Sequence, residues 1–242
     1  MPIIKLDAID STNEYLKQLS KESDLDNYTI VLAKEQTQGK GQMGSKWLSE
    51  KDKNLTMSIL LKDVLLNNTE LFTLNIVVSL AVINVLKDIN IPNVSIKWPN
   101  DIMSDSKKLA GILIENSLKL DGKVIAVVGI GLNLNQTNFE YLPQATSLKC
   151  ITGEVYDIES IAIQIRNALK HNLELIGHGS SLLWDAYHKY LYKLNYPSAF
   201  EDIQGNRFMG IIQKVNVNGK LEVLLEDEKV KDYEVKEIKM LY

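Results

Sequence analysis

The chain predicts an α+β protein in which helices pack on a largely antiparallel sheet and a small β-barrel follows. Three patterns carry that expectation. Phe72, Ile76, Leu80 and Ile83 recur at helical spacing, with Val77, Val78, Val82 and Leu86 widening the stripe, so residues 71–87 read as a helix buried on more than one side against a sheet. Residues 94–98, 107–116 and 123–129 are strand-like runs separated by Pro99, Asp105-Ser106 and Asp121-Gly122, the last a strong hairpin signal, which together suggest an antiparallel meander. After Pro197 the pattern changes to short, polar-interrupted strands. There Asn218-Gly219 reads as a type I′ turn between residues 210–217 and 220–225, and the barrel-like unit is placed at residues 200–242, leaving 1–199 as the larger domain.

The remaining elements follow in order. Residues 3–6 form a short strand, and Ser11-Thr12-Asn13-Glu14 has the spacing of a capping box before a helix reaching about Leu19. Residues 28–33 form a strand whose end delivers a glycine-rich loop, and residues 55–61 another. On the strand 107–116, simple alternation puts Lys108, Ala110, Ile112 and Ile114 on one face, opposite Leu109, Gly111, Leu113 and Glu115. Residues 158–175 and 181–192 are amphipathic helices. No internal repeat of 20 to 50 residues is present.

Composition removes several function classes. With 242 residues, 45% hydrophobic and 24% charged, the chain is an ordinary globular protein. A net charge of -4 and a pI near 5.5 argue against the broad cationic surface of a dedicated nucleic-acid binder. Cys150 is the only cysteine, which excludes an intramolecular disulfide and a cysteine-rich metal site. The opening Met1-Pro-Ile-Ile-Lys-Leu-Asp has no secretory h-region, and the stretch 71–86, interrupted by Thr73, Asn75, Ser79 and Asn84, is too short to span a bilayer. A cytoplasmic protein without a membrane partner is expected.

Two stretches concentrate the chemistry. Gln36-Thr-Gln-Gly-Lys-Gly-Gln-Met-Gly-Ser-Lys-Trp47 contains GxGxxG, but Ser45-Lys-Trp-Leu-Ser49 leads toward a strand, whereas a dinucleotide fingerprint opens a crossover helix. Nor is it a P-loop, because no GK followed by Ser or Thr stands at the required spacing. As a surface turn it needs no ligand. As a site, its glycines let amides converge on an anion, Lys40 neutralises charge and Trp47 walls a ring. The second stretch is Lys97-Trp-Pro-Asn-Asp101 with Lys108-Leu-Ala-Gly111. Here two lysines and an aspartate around a rigid turn suit phosphate or Mg²⁺–phosphate, the alternative being an exposed hairpin with routine lysines. Gly129-Ile-Gly-Leu-Asn133 adds an amide able to read a heterocycle or ribose. His171, His178, His188 and Cys150 fit packing, surface or structural roles better than catalysis.

Taken together with Ser11-Thr12-Asn13, these motifs resemble the biotin protein ligase family in order and approximate spacing, over nearly the whole chain. The resemblance implies a mixed, largely antiparallel catalytic domain, an SH3-like C-terminal barrel, and Mg²⁺·ATP-dependent formation of biotinyl-5′-AMP. The biotinyl group then passes to a lysine of a biotin carboxyl carrier protein or domain. By resemblance, Ser11, Thr12 and Gln36 surround the biotin ureido ring and Trp47 its apolar environment. Gly39, Lys40 and Gln42 belong to the loop that closes over biotin and phosphate. Lys108 is the essential lysine between carboxylate and α-phosphate, with Gly111 beside it, and Asn133 is the adenine-binding asparagine that follows Gly129. Lys97, Asn100 and Asp101 fall near the nucleotide and acceptor side, Asp101 orienting the acceptor amine.

The family's loop is usually Gly-Arg-Gly-Arg, so Lys40 and Gln42 replace both arginines; Lys40 keeps charge without the planar fork, and Gln42 loses the charge as well. No helix-turn-helix precedes the first strand, so specific DNA binding is not expected; a homodimer through the catalytic sheet is a family option. A lipoate-protein ligase and a nonenzymatic biotin-sensing module are the alternatives. The loop signature and small C-terminal unit favour biotin over lipoate, and Lys108 with Asn133 favours an enzyme over a sensor.

Overall fold

The structure, a computed structural model, describes residues 2–64, 71–118, 124–176 and 180–241. Asp121-Gly122 and His178 lie outside them. A seven-stranded sheet is built from β1 (Ile3–Ile9), β2 (Ile30–Gln36), β3 (Leu55–Val64), β4 (Val94–Lys97), β5 (Asp101–Ser104), β6 (Lys107–Leu118) and β7 (Val124–Leu132), in the order β1-β2-β3-β7-β6-β5-β4. Only β1 and β2 run parallel, so the sheet is mixed and largely antiparallel.

Alternation along these strands divides the interior into two cores. Ile30, Leu32, Ile59, Leu61, Ala126 and Val128 face one way, into the main core with α2 (Leu71–Asp88), α4 (Ile158–Ile176) and α5 (Ser181–Tyr190). Val31, Leu60 and Val127 face the other way and meet Leu16 of α1 (Thr12–Glu22). Leu16 is 0% exposed, a burial worth about 2 kcal/mol. Following the same alternation, Gly129 and Gly131 continue the Val127 face, and with no side chains there the sheet is left hollow beside α1.

Several sequence expectations need correction. β5 was not anticipated: four residues after Pro99 suffice for a strand paired on both sides. The short α3 (Leu148–Thr152), with Ser147 Oγ accepting from Cys150 N–H, was also missed. Ser11 is the N-cap of α1, but its side chain makes no cap bond, so the capping box does not form. The Asn218-Gly219 turn is not type I′. Among residues of positive φ Gly219 appears at +80° and Asn218 does not, while Gly219 N–H donates to Asn216 O and Asn216 N–H to Lys220 O. That pattern is a three-residue hairpin loop closed by a left-handed glycine.

The C-terminal unit is not a barrel. β8 (Pro197–Asp202), β9 (Arg207–Val215), β10 (Leu221–Leu225), β11 (Val230–Tyr233) and β12 (Ile238–Met240) form an open sheet in the order β11-β10-β9-β8-β12. Its edges do not pair: residues 234–237 carry the chain from β11 across to β8, against which β12 lies, and only an isolated Val235–Ile238 bridge forms within that crossing. Phe200, Ile212, Val215, Leu221, Val223 and Ile238 instead join the main core with Tyr187 and Leu191, so the sheet buries its apolar face against the first unit without closing on itself. The segment 191–195 stitches the two sheets. Tyr192 N–H donates to Ile96 O of β4 (2.8 Å), and Asn195 N–H to Ile212 O of β9 (2.9 Å).

Candidate functional site

The hollow beside α1 opens into a cavity of about 640 Å³. Gly111, Gly129 and Gly131 form its floor, the glycine loop one wall and the second sheet, through Ile238 and Lys239, another.

One end is polar and uncharged. Thr12 donates to Gln36 Oε1 through both its backbone N–H (2.9 Å) and its hydroxyl (3.0 Å). Ser58 Oγ donates to Asn13 Oδ1 at 2.5 Å and lies 2.8 Å from Thr12 Oγ1. Ser11, Thr12, Asn13 and Ser58 are all buried. Gly129 permits this approach, because a Cβ there would stand 2.5 Å from Asn13 Oδ1. Asn13 Nδ2 donates to Glu115 (2.9 Å), which also pairs with Lys17 (2.8 Å).

The middle is aromatic. Trp47 lies flat on the paired glycines of β6 and β7: a Cβ on Gly131 would stand 2.6 Å from its Cζ2, and one on Gly111 3.4 Å from its Cζ3. Its indole N–H is buried without a hydrogen-bond partner, an unsatisfied donor in the cavity wall.

The other end is charged. Lys108 Nζ meets Asp101 Oδ1 at 2.6 Å and stands 5.8 Å from the centre of the Trp47 ring. Strict alternation had placed Lys108 opposite Gly111. The structure corrects this with an irregular register, in which Ile102 pairs Ala110 but Met103 pairs Lys108; the extra residue on β6 brings Lys108 to the glycine face, where its Nζ lies 3.5 Å from a Cβ built on Gly111. Burial pushes the Lys97 ammonium down to about 8, with Lys108 and Lys239 acting in the same direction and Asp101 opposing them. The turn carrying these groups is pinned from two sides: Asn100 exchanges hydrogen bonds with Ile112 (2.8 and 3.0 Å), and Trp98 Nε1 donates to Gly219 O of the second sheet (2.9 Å).

The glycine loop folds back on itself. Trp47 N–H donates to Gly39 O (2.9 Å) and Gly41 N–H to Ser45 O (2.7 Å), around a 3₁₀ turn at Gln42–Gly44. Lys40 pairs with Glu14 of α1 at 2.8 Å and holds that carboxyl below its usual range. From the connection between β11 and β12, the Lys236 ammonium donates to Met43 O.

Ser11, Thr12, Gln36, Lys40, Gln42, Trp47, Lys97, Asn100, Asp101, Lys108, Gly111 and Gly129 therefore line one cavity, with Gly39 in the neighbouring turn. Asn133 stands apart: it is buried, and its amide donates to Thr146 O at 3.0 Å. Sequence reasoning missed Ser58, Glu115, Lys236 and Lys239. Ser58 was accessible in principle, since it shares the parity of Leu60 on β3. The two lysines, Lys239 on β12 and Lys236 in the connection before it, carry no local signal.

Residues 6–135 match the biotin/lipoate A/B protein ligase family. The bifunctional ligase/repressor BirA of Bacillus subtilis (strain 168) is 31% identical over 194 residues, which are 76% of this chain and 59% of that protein. The biotin--[acetyl-CoA-carboxylase] ligase of Mycobacterium tuberculosis is 30% identical over 164 residues, 66% of this chain and 59% of that one. The chain thus spans less than two thirds of these relatives. Among solved structures, the biotin protein ligase of Aquifex aeolicus in complex with biotin and ATP aligns with a TM-score of 0.81 at 29% identity, covering 99% of this chain and 98% of that one. Shared sequence across the strands and loops that build the cavity, and a shared fold along the whole length, place the chain in the biotin/lipoate A/B protein ligase family.

Proposed function

We propose that the cavity joins biotin to ATP as biotinyl-5′-AMP and then transfers the biotinyl group to a lysine of a carrier protein. The observation that carries this reading is the gradient along one cavity, from a neutral cluster of buried Ser11 and Thr12 with half-buried Gln36, across the Trp47 indole, to the Lys97, Asp101 and Lys108 charges. A bicyclic urea fits the first, an aliphatic chain the second, and a carboxylate meeting a phosphate the third. The Aquifex aeolicus structure with biotin and ATP supports that pairing of ligands.

A carboxylate is a poor acyl donor, and conversion to a mixed anhydride with AMP supplies a leaving group. As the biotin carboxylate oxygen attacks the α-phosphorus, pyrophosphate departs and negative charge spreads over the phosphoryl oxygens. Lys108 stabilises that charge, and Lys40 adds to it from the loop. No covalent enzyme nucleophile is needed. Asp101, neutralised by Lys108 beforehand, is left to orient the acceptor amine in the second step. Among the described residues no cluster of three metal-ligating side chains exists, and Asp101 is the only carboxylate lining the cavity. Such a donor set suits Mg²⁺ carried in by the nucleotide phosphates, which would neutralise their charge, and not a metal held by protein alone.

The reading is tested by incubating the protein with Mg·ATP and either biotin or lipoate, and following pyrophosphate release and acyl-AMP by mass spectrometry. Biotin-dependent pyrophosphate with biotinyl-AMP is expected; turnover of lipoate alone would move the assignment to a lipoate-protein ligase. Binding of biotin without pyrophosphate would make the protein a sensor.

A further inference from the structure

We infer that Glu14 is a positioning residue for the glycine loop, its carboxylate holding Lys40 until the adenylate phosphate takes the lysine over. The inference rests on the proposed adenylate chemistry and goes beyond it in naming what the loop holds before a phosphate arrives. Lys40 lines the cavity, yet its ammonium is committed to Glu14 at 2.8 Å. Glu14 stands in the first turn of α1, directly after the Ser11-Thr12-Asn13 cluster, so the helix that forms the neutral end of the cavity also anchors the glycine loop that forms one of its walls.

The exchange is cheap for two reasons. Both side chains are about half exposed, 52% for Lys40 and 45% for Glu14, where an ion pair is weak and quickly remade. Glu14 also keeps a second cation when Lys40 leaves, because Lys17 Nζ lies 3.9 Å away. Lys17 in turn holds Glu115, which accepts from Asn13, so the loop lysine connects through Glu14, Lys17, Glu115 and Asn13 to Ser58 and the neutral cluster. Glu14 and the phosphate therefore compete for one ammonium.

The test is the dissociation of biotinyl-AMP, chased with excess unlabelled adenylate, for the native protein, Glu14→Gln, Lys40→Gln and the double variant. Glu14→Gln should slow release by roughly twofold to fivefold, the range of an exposed ion pair. Lys40→Gln should speed it, and in that background Glu14→Gln should add nothing, a coupling that a merely structural role in α1 would not produce. Trypsin digestion without any ligand gives an independent reading: cleavage after Lys40 should be faster in Glu14→Gln than in the native protein. Unchanged or faster release from Glu14→Gln, an equal effect with and without Lys40, or unchanged cleavage overturns the inference alone. A native protein that fails to retain biotinyl-AMP overturns the proposed function as well.

Discussion

Lys108 and Asp101 neutralise each other at 2.6 Å, so anion binding at this end of the cavity is an exchange of partners and not the filling of a bare cationic site. On the proposed chemistry, Lys108→Ala removes the cation where charge develops and leaves Asp101 to repel the incoming carboxylate. It should cost about 3 kcal/mol in adenylate formation, by comparison with loss of an oxyanion donor. Supplying biotinyl-AMP should restore at least part of the transfer, and equal impairment with and without it would contradict the role. Lys97 makes a pH prediction. Its folded pKa is lowered to about 8 from the ordinary 10.5, so the ammonium is charged at neutral pH and is lost as pH rises through about 8. If that charge holds nucleotide phosphate, KM for ATP should climb above pH 8, by up to about tenfold per pH unit, while KM for biotin stays level. Lys97→Arg, which does not titrate, should flatten the rise; the same rise in Lys97→Arg would assign it to another group.

At the scale of elements, the glycine pair across β6 and β7 decides where the indole lies. A methyl group at Gly131 would sit 2.6 Å from Trp47 Cζ2 and 2.7 Å from Nε1, so Gly131→Ala must lift the ring, an overpacking cost of about 1–3 kcal/mol. KM for biotin should rise roughly tenfold with a change in tryptophan emission, and Gly111→Ala, whose nearest contact is 3.4 Å, should have the smaller effect. Much of this site was legible because its residues fall in short motifs at strand ends, where spacing along the chain becomes position in space: Gln36 at the end of β2, Lys97 and Asp101 flanking one turn, Gly129 on β7. What was not legible depends on contacts made elsewhere. No rule of alternation yields the extra residue in β6 that turns Lys108 onto the glycine face, because the irregularity is set by pairing with β5. Ser11-x-x-Glu14 reads as a capping box until Lys40, distant in sequence, takes the glutamate. The C-terminal strands read as a barrel because local pattern gives strands and turns but not closure, and the apolar face of this sheet is satisfied by the main core.

Across the whole molecule, the second sheet contributes directly to the site. It supplies Lys239 and Ile238 to the cavity, accepts a hydrogen bond from Trp98 beside Lys97, and touches the glycine loop through Lys236. Among the described residues no helix is long and apolar enough to cross a membrane. If one cavity carries both half-reactions, the most direct measurement is the intact mass of a biotin carboxyl carrier domain after incubation with the full chain, biotin and Mg·ATP. A single amide-linked biotinyl group is expected on one carrier lysine, formed from free biotin only when ATP is present, and formed without ATP when biotinyl-AMP is supplied. An unmodified carrier in both reactions, with folded protein and a carrier shown to be competent, would contradict the proposed function.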